Sequence, residues 1–208
     1  MKKLVKSALA AALLATGFAA NAAVLSTTNS TYGIFDASSG SRLLSLGAGA
    51  IADVNIAITF SKCDDPGVSG GTACVNPGGS FDREIVFRLT SPGGTVVNLV
   101  NQDTYPGHSS AGVVTISFDD EAASTVGGGA VTGGSFRPVG SLASFDGQDA
   151  FGDWTLFIQD TVGADPLEFF SATLTVTTRG GNVPEPGSLA LLGLGFAGLA
   201  AARRRKTA

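Results

Sequence analysis

The sequence predicts an all-β fold, an antiparallel β-sandwich flanked by two removable ends. Apolar residues alternate at period two in one segment after another, which is typical of half-buried strands. Turn signals such as Ser91-Pro92-Gly93-Gly94 separate these segments. No window in residues 23–180 sustains the 3.6-residue period of an amphipathic helix. We therefore expect about eight short strands, arranged as a sandwich or a jelly roll.

The strands can be placed along the chain from this alternation. Trp154 falls in the same register as Leu156 and Ile158, so we expect its side chain to face the core. The clearest strands are Val54–Phe60, Ile85–Leu89, Val114–Phe118, Trp154–Ile158 and Ala172–Val176. Shorter candidates lie at Leu43–Leu46, Val96–Val100 and Phe136–Val139.

Residues 1–22 have the pattern of a secretory signal peptide. Three lysines precede an apolar run from Ala8 to Ala20, and Ala20-Asn21-Ala22 forms an A-x-A cleavage pattern. We expect export and a mature chain that starts near Ala23. Residues 23–180 then form one β-sandwich domain, which is long enough for a hydrophobic core of its own.

Residues 181–208 form a tail with three parts: an extended polar handle, an apolar span at residues 187–202 and a basic end. A helix over the span would be about 24 Å long, slightly short of the ~30 Å bilayer core. The basic end would stop transfer and stay cytoplasmic. A single-pass membrane anchor is one interpretation. The handle is Val183, Pro184, Glu185 and Pro186, and the basic end is Arg203, Arg204, Arg205 and Lys206.

This tail resembles the PEP-CTERM sorting signal of Gram-negative bacteria that produce exopolysaccharide. The resemblance implies that the secretion machinery and an exosortase are partners, and that processing occurs near Pro184–Pro186. It also implies an inner-membrane intermediate, anchored through the apolar span, before release to the cell surface or the extracellular matrix. Extracellular polysaccharide is a further partner that this location suggests.

The net charge of the domain limits the classes of partner that it can bind. The whole chain carries a net charge of −4, but most of its basic residues lie in the two ends. Residues 23–180 hold six basic and 16 acidic residues, a net charge of −10. Such a domain repels phosphate backbones, so nucleic acid is excluded as a partner. Cations and neutral polysaccharide remain open.

Cys63 and Cys74 are the only cysteines of the chain. In an exported protein we expect them to form a disulfide, which would stabilise the fold by roughly 3 kcal/mol on the chain-entropy model. Two cysteines with no histidine nearby offer too few ligands for a metal site.

The domain also resembles the P domain (P/Homo B) that accompanies subtilisin-like proprotein convertases. The resemblance runs from Asp53 to Val176 and implies a jelly-roll, galactose-binding-like sandwich. The insertion between Cys63 and Cys74 departs from the family pattern. No stretch of these 208 residues resembles the convertase catalytic domain. We therefore do not expect the serine endopeptidase activity of the convertases in this chain. The stretches that carry the resemblance are Asp53–Ile56, IVFRLTSPGGTVVNL at 85–99, Phe118–Ala122 and Gly152–Leu156.

The sequence shows few features of a catalytic site. His108 is the only histidine and follows Pro106-Gly107 in a turn-like stretch, and the sequence lacks a Gly-x-Ser-x-Gly elbow. Loop carboxylates are the ligands that calcium prefers, although acids in turns also serve as caps and keep exported proteins soluble. A glycosidase acid–base pair is a third interpretation of these acids. The calcium candidates are Asp119, Asp120, Asp146 and Asp149.

We therefore expect an exported, non-catalytic protein of the envelope or extracellular matrix, with no obligatory cofactor. The alternative is a glycan- or calcium-binding module, and a hydrolase is a further alternative. Fold class alone does not separate them, because sandwiches host many unrelated functions.

Overall fold

The computed structural model describes residues 22–62, 64, 79–109 and 112–180, together with residues 193, 195 and 196. Ala22–Gly181 form one compact unit, whose described part contains β-strands and two 3-10 turns, Asp82–Glu84 and Leu142–Phe145. Within the described ranges, no helix is long and apolar enough to cross a bilayer. The strands are β1 (Val24–Asn29), β2 (Gly33–Phe35), β3 (Ser39–Leu46), β4 (Ile51–Lys62), β5 (Ser80–Phe81), β6 (Ile85–Thr90), β7 (Val96–Val100), β8 (His108–Ser109), β9 (Val113–Phe118), β10 (Gly134–Phe136), β11 (Gly152–Asp160) and β12 (Leu167–Thr178).

Two main sheets build the domain. The six-stranded sheet has the order β1-β12-β4-β9-β10, with β2 pairing the start of β12, and the four-stranded sheet has the order β3-β11-β6-β7. A small third sheet pairs β5 with β8. The strand pairs are antiparallel except for β9 and β10, which run parallel over three residues. The prediction of a wholly antiparallel sandwich is therefore wrong at this one edge.

One apolar core fills the space between the two main sheets. Both sheets contribute alternate residues to it, because successive side chains of a strand point to opposite faces. Trp154 of β11 is fully buried, as its register predicted, and its ring packs edge-on against Phe145 at a centroid distance of 4.9 Å. Its indole Nε1 donates a hydrogen bond to the carbonyl oxygen of Ala150 at 3.0 Å. The fold is thus an all-β sandwich, as predicted.

The predicted strands occur in the structure, most of them longer than the alternation indicated. The strand predicted at Ala172–Val176 extends back to Leu167, and the short candidate Phe136–Val139 is instead the three-residue strand β10. Alternation missed β1, β2, β5 and β8. These strands are short or lie at edges, where a half-exposed face leaves a weak apolar signal.

Candidate functional site

An acidic edge lies where β4 begins and β9 ends. These strands are antiparallel neighbours, with Ile56 opposite Phe118, so Asp53 at the start of β4 approaches the residues that follow Phe118. A second loop is tied to the same place, because the backbone N–H of Gly147 donates to the carbonyl oxygen of Ile51 at 2.9 Å. We use "acidic edge" for Asp53, Asp119, Asp120 and Asp146.

Electrostatic interactions show that these carboxylates converge. Partial burial raises the pKa of Asp53, and the negative charges of Asp119, Asp146 and Asp120 raise it further against one backbone hydrogen bond that lowers it. A hydrogen bond with Asp119 raises the pKa of the neighbouring Glu121 carboxyl. The acidic edge is therefore a place where negative charges repel one another and where a cation would be attracted.

Hydrogen bonds hold the two loops of the acidic edge together. The Asp120 Oδ2 atom accepts from the Ser141 hydroxyl at 2.7 Å and from the backbone N–H of Ala143 at 2.9 Å. The Asp119 Oδ1 atom accepts from the backbone N–H of Glu121 at 2.8 Å. These bonds make Asp119 and Asp120 turn caps. Asp146, at the end of the 3-10 turn, is exposed.

The four predicted calcium ligands divide into two groups. The charges of Asp119, Asp120 and Asp146 act on Asp53, whereas Asp149 accepts from the backbone N–H groups of Gly49 at 2.9 Å and Phe151 at 3.1 Å. Those two bonds lower the pKa of Asp149. Asp53 was missed as a site residue, although an acid in the outward register at the start of a strand was visible in the sequence. Among the described residues, no group of three or more His, Cys, Asp or Glu side chains is arranged to hold a metal ion.

A shallow groove of about 310 Å³ continues from the acidic edge over the outer face of the six-stranded sheet. Asp119 stands at one end of it, and Asn55, Ser117, Thr173 and Thr175 line it. Hydroxyl pairs cross this face, including Thr28 to Thr173 and Thr59 to Thr115, both at 2.8 Å. The outer face is therefore rich in hydroxyl groups that can donate and accept hydrogen bonds.

A second charged cluster lies at the other end of β4 and is buried. The Lys62 Nζ atom lies 2.7 Å from Glu84 Oε2 and 2.6 Å from Asp160 Oδ2, with each of the three side chains at most 6% exposed. It also donates to the carbonyl oxygen of Asp165. Burial raises the pKa of Asp160 to about 6, although the hydrogen bond from Lys62 opposes this.

This buried cluster was also not predicted from the sequence. The partners of Lys62 lie 22 and 98 residues away along the chain, so no local motif marks them. A signal was nevertheless present. Lys62 continues the inward register of Phe60, and Asp160 continues that of Ile158, so each places a charge where alternation demands an apolar residue.

His108 lies in β8 and has an exposed side chain. Its ring packs edge-on against Phe81 at a centroid distance of 4.5 Å, and its Nδ1 atom lies 3.1 Å from the carbonyl oxygen of Gly79. Because a carbonyl only accepts, Nδ1 carries the proton in this contact. The partner is a backbone group and not the carboxylate that orients a triad histidine.

Two stretches of the chain match models of known protein families. Residues 182–206 match the PEP-CTERM protein-sorting motif, and residues 80–176 match the proprotein convertase P-domain. The chain is therefore similar to a P-domain over residues 80–176 and, after it, to a PEP-CTERM motif over residues 182–206. The P-domain match covers β5 to most of β12 and includes Asp119, Asp120 and Asp146. Asp53 lies before the matched residues. Its segment, Asp53–Ile56, is nevertheless one of the stretches that resemble the P domain in sequence.

The comparisons with individual proteins support no argument about fold or function. No curated protein sequence matches the chain. Solved structures of the infectious bursal disease virus Gt and Gx strains are both 14% identical to it, with TM-scores of 0.37 and 0.33. The comparison covers 87% and 85% of this chain, which spans 38% of the length of each viral chain.

Several predicted features lie outside the described residues. They include the signal peptide, the pair Cys63 and Cys74, the handle Val183–Pro186 and the basic end 203–206. The PEP-CTERM match spans both the handle and the basic end. The disulfide and the cleavage near Ala22 stay predictions.

Proposed function

We propose that this protein is an exported, non-catalytic β-sandwich module that an exosortase sorts to the envelope or the extracellular matrix. The observation that carries the proposal is the PEP-CTERM motif at residues 182–206. The last strand of the P-domain ends at Thr178, so a very short linker joins the sandwich to the motif. The whole of the described domain would therefore be delivered together with the processed C-terminus.

The proposal includes the finer predictions made for the two ends. Residues 1–22 act as a signal peptide, and residues 187–202 form an apolar helix that holds the precursor in the inner membrane until cleavage near Pro184–Pro186. It also includes the jelly-roll class of the sandwich. Strand order supports that class, because sequence neighbours such as β3 and β4, or β11 and β12, lie in opposite sheets.

A comparison of host strains tests the sorting step. The protein is purified from its own host and from a strain that lacks the exosortase, and the C-terminal peptide of each preparation is sequenced by mass spectrometry. We expect a C-terminus near Pro184–Pro186 in the first strain and residues up to Ala208 in the second. An identical, intact C-terminus in both strains would overturn the proposal.

A non-catalytic role is part of the proposal and has its own test. The contacts of His108 support it, since its Nδ1 atom contacts a backbone carbonyl and its ring packs edge-on against Phe81. We expect no turnover in a screen of glycan and peptide substrates. Turnover that disappears in His108→Ala or Asp119→Asn would contradict the proposal and favour a hydrolase.

The second candidate function is binding of calcium or of a glycan at the outer face of the six-stranded sheet. The observation that favours it is the convergence of Asp119, Asp120 and Asp146 on Asp53, next to a groove lined by hydroxyl groups. A cation would relieve the repulsion among the four carboxylates. The neighbouring hydroxyl groups would hydrogen-bond a sugar.

Isothermal titration with calcium chloride and with neutral oligosaccharides tests this candidate. Asp119→Asn should remove calcium binding, and Asp103→Asn is the matched control because Asp103 is exposed on the surface away from the acidic edge. Absence of binding heat for both ligand classes would eliminate the candidate.

A further inference from the structure

The buried cluster at the end of β4 places an amine between two carboxyl groups. Lys62 Nζ lies 2.6 Å from Asp160 Oδ2 and 2.7 Å from Glu84 Oε2. The lysine and aspartate side chains are 1% and 0% exposed, so water has almost no access to the contact. This arrangement of a lysine, an acid and a second acid in a dry interior has the parts needed for an amide-forming reaction.

The two side chains in closest contact come from different sheets. Lys62 is the last residue of β4 in the six-stranded sheet, and Asp160 is the last residue of β11 in the four-stranded sheet. Glu84 ends the 3-10 turn just before Ile85, which pairs with Asp160. The contact of Lys62 with Asp160 therefore bridges the sandwich at one end of its core.

Apolar side chains adjoin the cluster, together with the carbonyl oxygen of Asp165 that Lys62 contacts. Phe60 and Phe87 lie next to it along their strands, fully buried, with a ring centroid distance of 5.1 Å. Ile85, Ile158 and Leu167 are also fully buried. Charged groups are poorly solvated in such surroundings. Transfer of a proton from the Lys62 ammonium to the Asp160 carboxylate would give a neutral amine and a neutral carboxylic acid, the pair that can react.

We propose that Lys62 and Asp160 condense into an intramolecular isopeptide bond, with Glu84 as the catalytic proton relay. The carboxyl carbon of Asp160 is one bond from an oxygen that Lys62 Nζ already contacts. Nitrogen and carbon therefore lie close to the roughly 3–3.5 Å separation from which such attacks begin. The reaction needs no bound cofactor and no oxidant.

The atoms of the reaction balance as follows. The Nζ lone pair attacks the Asp160 carboxyl carbon, and the Glu84 carboxylate takes a proton from Nζ and passes it to the Oδ2 hydroxyl. The carbon–Oδ2 bond breaks, one water molecule leaves, and a carbon–nitrogen bond remains. Oδ1 stays as the amide oxygen. The backbone N–H of Val162 lies 3.3 Å from Oδ1 and stabilises the negative charge that develops there in the tetrahedral intermediate.

The burial of the cluster makes the product durable. The reverse reaction needs a water molecule at the amide carbon, and all three side chains are shielded from solvent. The bond would close a loop between residues that lie 98 positions apart. A cross-link across so long a loop restricts the unfolded chain strongly and would suit a protein that works outside the cell.

Tryptic peptide mapping of the full chain, purified in folded form and then denatured and reduced, tests the proposal. We expect a branched peptide that contains both Lys62 and Asp160 and lacks the mass of one water molecule. We also expect no cleavage after Lys62, since trypsin requires a free lysine side chain. Fragmentation locates the bond. Two linear peptides with normal cleavage after Lys62 would overturn the proposal, as would a bond from Lys62 to Glu84.

Two variants and a control separate the reaction from folding. Lys62→Met removes the amine at similar volume, and Glu84→Gln keeps the shape but removes the proton relay. Circular dichroism establishes that each variant is folded. Lys62→Met should give no branched peptide, and Glu84→Gln should form it on the order of 100-fold more slowly. Asp103→Asn, at an exposed position, should form it at the wild-type rate. A folded Glu84→Gln protein that cross-links at the wild-type rate would overturn the assigned role of Glu84.

Discussion

The two ends of strand β4 carry acidic clusters of opposite character. At its start, Asp53 lies on the outward face, and the charges of three further carboxylates help to raise its pKa. At its end, Lys62 lies on the inward face and binds Glu84 and Asp160 in a dry interior. Both environments raise the pKa of an aspartate, by partial burial and repulsion in the first case and by full burial in the second.

This difference shows how one residue type serves two purposes in a single sandwich. Exposed carboxylates keep their charge, are screened by salt and attract cations from solution. Buried carboxylates beside a lysine are held for reaction or for structure, since removing one partner leaves an uncompensated charge. Whether a residue faces outward or inward on its strand therefore decides which of the two roles its carboxylate has.

The largest expected effect comes from breaking the buried cluster. Lys62→Ala leaves Glu84 and Asp160 buried without their cation and removes the proposed cross-link, so we expect the free energy of unfolding to fall by about 3–5 kcal/mol. Arg83→Ala is the control, because Arg83 pairs with Asp103 at 3.8 Å on the surface. Its effect should stay below about 1 kcal/mol. Equal losses in urea denaturation of the two variants would contradict the distinction between the two ends.

If the protein binds calcium as in the second candidate function, the ion should act at the acidic edge alone. At a calcium concentration 100 times its dissociation constant, binding should raise the free energy of unfolding by about 2.7 kcal/mol and raise the Tm accordingly. EDTA should reverse the rise, and Asp119→Asn should remove it. Glu84→Gln should retain it, because Glu84 lies at the opposite end of β4. A calcium response that Asp119→Asn leaves intact would place the ion elsewhere.

The titration of Asp160 is a further test of the difference between the two ends of β4. In freshly folded Glu84→Gln, before the slowed amide bond has formed, burial should still raise the pKa of Asp160 above its ordinary value of 3.8, although the variant loses the part of the rise that the Glu84 charge causes. The folded state then holds this proton more tightly than the unfolded state. The contribution of Asp160 to stability therefore increases as pH falls from its raised folded-state pKa towards 3.8 and is lost as pH rises through that window.

Carbon-13 NMR of aspartate-labelled protein measures that titration directly. An Asp160 carboxyl signal with a midpoint above 3.8 should be present in freshly folded Glu84→Gln and absent from the wild-type protein, since an amide does not titrate. The same signal in both proteins would contradict the cross-link.

The smallest expected effect is at Asp53. Asp53→Asn removes a charge that Asp119 and its neighbours repel, so it should stabilise the protein at pH 7 by roughly 0.3–0.5 kcal/mol after screening by solvent. The folded-state pKa of Asp53 is raised, so the gain should shrink as the pH falls towards 3.8 and Asp53 itself becomes protonated. Thermal melts in low and high salt measure it. A gain that 1 M salt leaves unchanged would mean that charge repulsion is not its cause.

The sequence predicted the layout of the sandwich well because each strand carries its own period-two signal. Trp154 shows this, since its neighbours Leu156 and Ile158 were enough to place it in the core. The acidic edge was predicted in part, because Asp119 and Asp120 form a local run, whereas Asp53 joins them only through the pairing of β4 with β9. The buried cluster depends on contacts between distant strands and had no local motif.

The most direct single measurement is the intact mass of the mature protein from its own host, taken after reduction of any disulfide. We expect a chain that starts near Ala23, ends near Pro184–Pro186 and weighs one water molecule less than its linear sequence. A chain that retains residues up to Ala208 would contradict sorting by an exosortase. A chain with the full linear mass for its observed ends would contradict the bond between Lys62 and Asp160.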